Sequence, residues 1–172
     1  LRCLVPQGVG EERHVSISVG DQRDTLTNTF SFLAPDISWA TTYNSPTTGA
    51  ASVTVIGQRF GDLDHSSIAT VGVTAQWSTH WLSETSMALR AAAGEGRGNV
   101  MQITVGKQRT SFTAAFSYNR PVVKDASTAF TVYVPTNIAV SGSQSVTLVG
   151  VNLGWIRSET TRTRIGGSSA VS

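Results

Sequence analysis

The sequence predicts an all-β protein built from β-sandwiches in tandem, and three observations lead to this prediction. Only 14% of the 172 residues are charged, 16 are glycine, and Ser, Thr and Val are abundant, which favours strands and turns over exposed helices. Several short segments alternate apolar and polar residues, as strands with one buried face do. The chain also matches itself after a shift of 86 positions, which is a common domain length.

The internal match includes two similar phrases, TNTFSFLAP at 27–35 and TAAFSYNRP at 113–121, which lie 86 positions apart (121 − 35). At this shift identical residues are paired: Gly8 with Gly94, Gly10 with Gly96, Ile17 with Ile103, Val19 and Gly20 with Val105 and Gly106, Gln22 and Arg23 with Gln108 and Arg109, Phe30 and Ser31 with Phe116 and Ser117, and Pro35 with Pro121. A second pair, SVTVIGQRFG at 52–61 and SVTLVGVNLG at 145–154, has a shift of 93 (145 − 52). The later copy therefore has about seven additional residues (93 − 86), in and around STAFTVYVP at 127–135.

The two shifts divide the chain into three copies of one unit. Residues 1–34 are predicted to be the C-terminal part of one domain, 35–120 a complete domain, and 121–172 the N-terminal part of a further domain. A unit of about 86 residues is too long for a solenoid repeat, which has roughly 20–50 residues. The length suits a sandwich that folds independently.

Hydrophobic alternation predicts about seven short strands in the complete copy. They lie near Asp36–Trp39, Ser52–Gly57, Ile68–Val73, Trp77–Trp81, Ser86–Leu89, Met101–Val105 and Phe112–Tyr118. Short strands with a turn signal roughly every 8 to 12 residues indicate an immunoglobulin-like sandwich. The alanines of RAAAGEG favour helix, but the glycines that follow limit any helix to a turn.

The motifs of residues 35–120 resemble the IPT/TIG domain, an immunoglobulin-like (E-set) fold found in plexins, hepatocyte growth factor receptor relatives, fibrocystin-like surface proteins and some transcription factors. The matching segments follow the family's order: PDIS, SVTVIGQRFG, WLSETSMAL, AGEGRGNVMQITVG and FSYNRP. The resemblance implies tandem IPT/TIG repeats of a large cell-surface protein, one complete and two partial.

The resemblance also bears on the single cysteine. Extracellular members often carry a cysteine where Leu89 stands here, paired with another near Ala75. Cys3 aligns with Leu89 (3 + 86), so the resemblance implies a disulfide between Cys3 and a partner outside these residues. Such a disulfide favours an extracellular or cell-surface location, which the cysteine count alone does not decide.

Catalytic, metal and phosphate sites are not expected. His14, His65 and His80 lie in separate segments without the spacing of a metal site. GDLDHSS at 61–67 lacks both a nucleophile elbow and the spaced oxygen ligands of a calcium loop. GEGRG at 94–98 precedes a strand, whereas a phosphate-binding glycine loop precedes a helix. We therefore expect no enzyme activity and no cofactor.

A nucleic-acid partner is not expected either. The net charge is only +2, from 13 basic and 11 acidic residues that are dispersed along the chain. The strongest basic cluster is RSETTRTR, with Arg157, Arg162 and Arg164, and it is expected to be a solvated loop.

Four tryptophans are many for sandwiches of this size. Trp81 lies in a motif strand and is expected in the core. Trp39, Trp77 and Trp155 lie near a domain junction or in loops, and they are predicted interface residues because a half-exposed indole offers a large contact area. A core position for each of these three remains open.

The short junctions point to a function in spacing and contact. Only Leu33–Pro35 and Asn119–Pro121 separate neighbouring copies, and proline restricts both itself and the residue before it. The predicted function is a non-enzymatic extracellular adhesion or structural segment of a larger surface or filament protein, whose semi-rigid array contacts other protein chains or neighbouring repeats. A glycan partner and O-linked sugar on TTYNSPTTG at 41–49 are further expectations, and any membrane attachment lies in other regions.

Two alternatives stay open. One is a DNA-binding and dimerisation TIG module of a transcription factor, which a salt-dependent shift of duplex DNA would favour. The other is a set of accessory domains in a carbohydrate-active enzyme, which a glycosidase or transferase domain elsewhere in the full-length chain would favour.

Overall fold

A computed structural model of the protein describes residues 1–128, 146–154, 162–165 and 168–169. The strands are β1 Arg13–Val19, β2 Gln22–Phe30, β3 Asp36–Ala40, β4 Asn44–Ser45, β5 Ser52–Gln58, β6 Ile68–Val71, β7 Thr74–Ala75, β8 Ser78–Ser83, β9 Ser86–Arg90, β10 Asn99–Val105, β11 Gln108–Tyr118, β12 Val122–Thr128, β13 Val146–Val151, β14 Arg164–Ile165 and β15 Ser168–Ser169. The all-β prediction is confirmed, and the described part of the chain contains no helix that could cross a membrane. Most of the segment predicted to hold the seven additional residues lies outside these ranges.

Residues 36–118 form a sandwich of two sheets. One sheet has the strand order β4-β11-β10-β6-β7, and the other has the order β3-β5-β9-β8. Neighbouring strands are antiparallel, except that β4 runs parallel to β11, with Asn44 opposite Ser117. The seven strands predicted from alternation are all present, and the two-residue strands β4 and β7 are additional. Two residues are too few to show a period, so alternation could not reveal β4 or β7.

The hydrophobic core lies between the two sheets and follows the predicted alternation. In β5, Val53 and Val55 are buried, while Thr54 and Ile56 are partly exposed. The residues of the core cluster are Val9, Ile37, Ala40, Val53, Val55, Phe60, Ala69, Val71, Met87, Leu89, Ala91, Met101, Ile103, Val105, Ala115, Phe116 and Tyr118. Burying one of the larger side chains among them stabilises the fold by about 1.5–3 kcal/mol relative to leaving it in water.

Gly57 shows why the SVTVIGQRFG motif has glycine at its sixth position. A β-carbon at Gly57 would lie 2.0 Å from the carbonyl oxygen of Asp36, where β3 bulges against β5. No side chain fits at that distance. Gly150 holds the same place in SVTLVGVNLG, and a β-carbon there would lie 2.2 Å from the carbonyl oxygen of Val122. The two copies of the motif therefore share one steric requirement.

The N-terminal hairpin of β1 and β2 has the same pairing as the hairpin of β10 and β11. Its pairs include Arg13–Phe30, Val15–Leu26 and Val19–Gln22, and the pairs 86 positions later are Asn99–Phe116, Met101–Phe112 and Val105–Gln108. The register shifts at the same place in both hairpins. Asn28 and its counterpart Ala114 both have a positive φ, of 53° and 51°. The sequence match thus corresponds to a match in backbone geometry.

The two hairpins differ in what covers their apolar face. Ile103 is fully buried, whereas its counterpart Ile17 is 45% exposed. The neighbouring positions show the same contrast, with Met101 and Val105 buried and Val15 and Val19 exposed. The first hairpin therefore presents to solvent a face that the second packs against a sheet.

Strands β12 and β13 pair as β3 and β5 do. The pairs are Asp36–Gln58, Ile37–Gly57 and Trp39–Ile56 in the sandwich, and Val122–Val151, Val123–Gly150 and Asp125–Val149 further along the chain. The shift is 86 in the first strand and 93 in the second, as it is in the sequence. Arg59 and Asn152, which follow β5 and β13, also share a positive φ, of 63° and 58°. The division of the chain into one complete and two partial domains stays a prediction.

We predict that Ile103→Ala and Ile17→Ala have very different costs. Ile103 fills a fully buried core position, so its truncation should lower the free energy of unfolding of the sandwich by about 2–5 kcal/mol. Ile17 has the same place in an exposed hairpin, so its truncation should change that free energy by no more than about 0.5 kcal/mol. Urea unfolding followed by tryptophan fluorescence measures both costs. Equal costs would contradict the exposed position of Ile17.

Candidate interaction surfaces

The N-terminal segment, residues 1–34, meets the sandwich at a joint. The joint consists of Val9, Gly10 and Phe32–Pro35 from one side and of Arg59, Gly61, Gly106 and Gln108 from the other. Val9 is only 7% exposed and packs with the sandwich core. A β-carbon at Gly106 would lie 2.8 Å from Cγ2 of Val9, and one at Gly61 would lie 3.0 Å from Cγ1. Glycine at these two positions gives the valine room to enter.

Gln108 bridges the two sides of the joint with its side-chain amide. Its Nε2 donates a hydrogen bond to the carbonyl oxygen of Phe32 at 2.7 Å, and its Oε1 accepts one from the backbone N–H of Gly10 at 3.2 Å. The same two residues are paired with each other, since the Phe32 N–H donates to the Gly10 carbonyl oxygen at 2.9 Å. The amide thus satisfies two backbone groups that the joint removes from water, and this network fixes which end of the amide is the donor.

A second contact holds the connection that precedes Pro35. Arg59 donates a hydrogen bond from Nε to the carbonyl oxygen of Ala34 at 2.6 Å. Its counterpart Asn152 donates from Nδ2 to the carbonyl oxygen of Arg120 at 3.3 Å, immediately before the next proline junction. Both proline junctions are therefore tied to the strand pair that follows them, in the same way.

A cleft of about 560 Å³ opens beside the joint. Its lining includes Phe32, Arg59, Asp62, Trp81 and Glu84. Asp62 belongs to the GDLDHSS segment, where its Oδ1 lies 3.3 Å from Nε2 of His65, and Asp64 accepts a hydrogen bond from the Ser66 N–H at 2.9 Å. These contacts stay within one loop. In the described ranges no cluster of three or more His, Cys, Asp or Glu residues is arranged to hold a metal ion.

The outer face of the four-stranded sheet carries Trp39. We define this face by the side chains that alternate with core positions in β3, β5, β8 and β9: Trp39, Thr54, Ile56, His80, Leu82 and Ala88. Trp39 pairs with Ile56 and is 46% exposed, and Leu82 is exposed as well. An exposed indole and an exposed leucine on one sheet face offer apolar contact area to a partner.

Trp77 lies at the edge of the same sheet, immediately before β8, and is 56% exposed. The guanidinium group of Arg90 lies 5.7 Å from the centroid of its ring, and the Trp77 N–H donates to the Arg90 carbonyl oxygen at 3.1 Å. A cation–π contact at an exposed site contributes about 0.5–1 kcal/mol, which helps to hold the indole in one position. Trp77 and Trp39 are thus both half exposed on one sheet.

The remaining residues that the sequence singled out are dispersed. Trp81 packs against the core, as expected, and its Nε1 donates to the carbonyl oxygen of Gly61 at 3.2 Å. Cys3 is exposed with a free thiol, and the sequence contains no second cysteine. Trp155 lies outside the described residues, as does Arg157 of the basic cluster. In the sequence Gln108 is marked only as an identical residue in a hairpin, because a contact 98 positions away leaves no local pattern.

Tyr118 is the sandwich's counterpart of Phe32. Its hydroxyl donates to the carbonyl oxygen of Ala92 at 3.0 Å, and its ring meets Phe116 edge to face with centroids 5.5 Å apart. Burial raises the pKa of the Tyr118 phenol, because the charged phenolate would be poorly solvated there. The folded state therefore favours the protonated form.

We predict that Tyr118→Phe lowers the free energy of unfolding by about 1–2 kcal/mol near neutral pH, since the Ala92 carbonyl loses its partner. The variant should also lose the decrease in stability that ionisation of this phenol causes at high pH. A raised pKa means that the stability due to this group is complete below the unfolded pKa, about 10, and is lost as pH rises through the folded pKa. Urea unfolding at pH 7 and above pH 10 measures both effects, with Tyr43→Phe at an exposed tyrosine as the control. Parallel alkaline losses in wild type and Tyr118→Phe would contradict this role.

Comparisons with known proteins identify the sandwich. The family model of the IPT/TIG domain matches residues 35–118. No curated protein matches the sequence. Among solved structures, the full extracellular region (domains 1 to 10) of plexin A4 is similar over 69% of this chain and 10% of its own, with 16% identity and a TM-score of 0.48. SGBP-B from a complex xyloglucan utilization locus in Bacteroides uniformis is similar over 66% of this chain and 31% of its own, with 16% identity and a TM-score of 0.42. The chain thus spans less than a third of either protein's length.

Proposed function

Since residues 35–118 are an IPT/TIG domain, we propose that the protein is a non-enzymatic segment of a larger extracellular or cell-surface protein, in which immunoglobulin-like domains form a semi-rigid array that contacts other protein chains. Residues 1–34 are the C-terminal part of one domain, 35–120 a complete domain, and 121–172 the N-terminal part of a third. Cys3 belongs to a disulfide with a cysteine outside these residues. The array acts by spacing and presenting contact surfaces.

The repeated contacts at the proline junctions support an array with restricted motion. Arg59 and Asn152 each donate a hydrogen bond to the carbonyl oxygen of the residue before a junction proline. At the first junction, the side-chain amide of Gln108 adds two further hydrogen bonds. A hydrogen bond of this kind contributes about 0.5–1.5 kcal/mol net, so the three bonds at the first junction together oppose the conformational freedom of its three-residue connection. An array held in this way presents its surfaces in a defined direction.

The observation that carries the contact role is the half-exposed pair of tryptophans on the four-stranded sheet. Trp39 lies on the outer face, Trp77 lies next to the edge strand β8, and neither indole is needed to fill the core. Tryptophan is enriched among the residues that dominate the binding energy of protein interfaces. Arg90, another residue type enriched at such sites, lies against Trp77. We assign Trp39 and Trp77, at the two edges of this sheet, to contacts with a second copy of the array.

We predict that beads coated with the protein cluster, and that the double variant Trp39→Ser, Trp77→Ser reduces clustering at least about tenfold, because two large contact side chains are lost. Light scattering measures the clustering. The matched control is Val73→Ser, which changes a fully exposed apolar residue in the turn between β6 and β7 and should leave clustering unchanged.

Thermal unfolding of the variants is a check on the fold. Half-exposed tryptophans contribute little to the core, so the melting temperature of the double variant should stay close to that of the wild type. Wild-type beads that stay dispersed, or that cluster equally well with the folded double variant, would contradict the assigned contact.

A further inference from the structure

We propose that the tip of the β1–β2 hairpin, Gly20–Gln22, is a docking surface for the glycine turn that precedes the last hairpin of another β-sandwich of the same type. The tip receives that turn as the β10–β11 tip, Gly106–Gln108, receives Val9 and Gly10 at the joint. This inference rests on the tandem array proposed above, and it identifies the partner that the first hairpin binds.

The two tips agree at four of five residues and closely in backbone. The first reads VGDQR and the second VGKQR. Each has a two-residue loop closed by a Val–Gln pair, and Gly20 and Gly106 have φ angles of 59° and 54°. They differ at the second loop residue, where Lys107 has a φ of 75° and Asp21 has no positive φ. The receiving glutamine therefore stands at the same place in both tips.

The two tips differ in whether another segment packs against them. A β-carbon at Gly106 would meet Val9 at 2.8 Å, whereas one at Gly20 would meet no atom within 4 Å. Gln108 is buried and makes two hydrogen bonds across the joint. Gln22 is exposed, and its side chain makes no hydrogen bond in the part of the chain that the structure describes. The first tip thus has the same glycine and glutamine as the second, but in the described part of the chain no turn packs against them.

The hairpin itself does not require glutamine at this position. A two-residue loop needs an unusual φ at its first residue, which accounts for Gly20, but it places no comparable demand on the residue that closes it. At the second tip, the amide of Gln108 serves the joint, where it pairs a backbone N–H with a backbone carbonyl. Gln22 is therefore best explained as the same kind of bridge.

The partner that fits this bridge is a folded turn. Gln108 binds the N–H of Gly10, whose φ is 99°, and the carbonyl of Phe32, and these two residues are already held together by their own hydrogen bond. A flexible peptide does not hold such a pair of groups side by side. A glycine turn closed against the last strand of a sandwich does.

The sandwich has a turn of this kind before its last hairpin, β10–β11. Gly96 has a φ of 87°, and its carbonyl oxygen accepts a hydrogen bond from the Tyr118 N–H at 2.8 Å. The residue before the glycine differs, since Glu95 takes the place of Val9 (9 + 86). The amide bridge is therefore the feature that successive joints share, and the valine is specific to one of them.

An extended chain tests the docking directly. Residues 1–86, the added copy, are placed ahead of the complete chain, the inner copy, to give 258 residues (86 + 172). Residues 35–86 of the added copy then complete a sandwich with residues 1–34 of the inner copy. The Val9–Gly10 turn of the added copy precedes the Gln22 tip of the inner copy. Hydrogen exchange followed by NMR reports on the Gly10 amide of the added copy. Gln22→Ala in the inner copy should speed its exchange at least about tenfold, because the bridge is lost.

The 172-residue chain provides the matched pair of variants. There Gln108→Ala should speed exchange of the Gly10 amide by the same factor, about tenfold, while Gln22→Ala should leave every amide of the joint unchanged. A Gln22→Ala variant that disturbs the joint of this chain would overturn the proposal.

A second readout separates failure of the docking from failure of the array. In the extended chain, Ile17→Ala in the inner copy lowers the melting temperature if the added residues complete a sandwich over it. If Ile17→Ala lowers the melting temperature but Gln22→Ala does not speed exchange of the Gly10 amide, the docking proposal is wrong and the tandem array is supported. If Ile17→Ala has no effect, the division into repeats is wrong, and the docking falls with it.

Discussion

The side-chain amide of Gln108 is the interaction on which the arrangement of the molecule depends. It pairs with one donor and one acceptor of the N-terminal segment, at a place that Val9 shields from water. Left unpaired, each of these backbone groups would cost about 1–3 kcal/mol, so the joint would favour separation. Gly61 and Gly106 permit the close approach. Backbone geometry, side-chain choice and packing therefore act on the same few atoms.

A fixed joint sets the orientation of the outer face relative to the N-terminal segment. Trp39 belongs to the sheet that begins directly after Pro35, and Trp77 adjoins its edge strand β8, so any rotation at this proline would turn both tryptophans relative to the N-terminal segment. Arg59 restrains that rotation through the Ala34 carbonyl. Contacts made by several domains at once reinforce one another only if their geometry allows simultaneous engagement. A tied proline junction is thus the structural condition for the proposed array to act as a unit.

Local features of the sequence predicted the sandwich well. Alternation in β5 identified its buried face, and the SVTVIGQRFG motif contained the glycine that the approach of Asp36 requires. The matching hairpins followed from the repeat, because equal spacing between equal residues implies equal register. The joint could not be predicted in this way. Gln108 and Gly10 are 98 positions apart, and Val9 has no apolar counterpart in the next copy, so no period marks either contact.

The hydrogen bonds of Gln108 and Arg59 imply that the N-terminal segment and the sandwich move as one body. Residual dipolar couplings of backbone amides test it most directly, because two parts that move independently align differently in a dilute liquid-crystalline medium. We expect the amides of β1–β2 and of the sandwich to fit one common alignment tensor, and we expect Gln108→Ala to abolish the common fit. Separate tensors in the wild-type protein would contradict it.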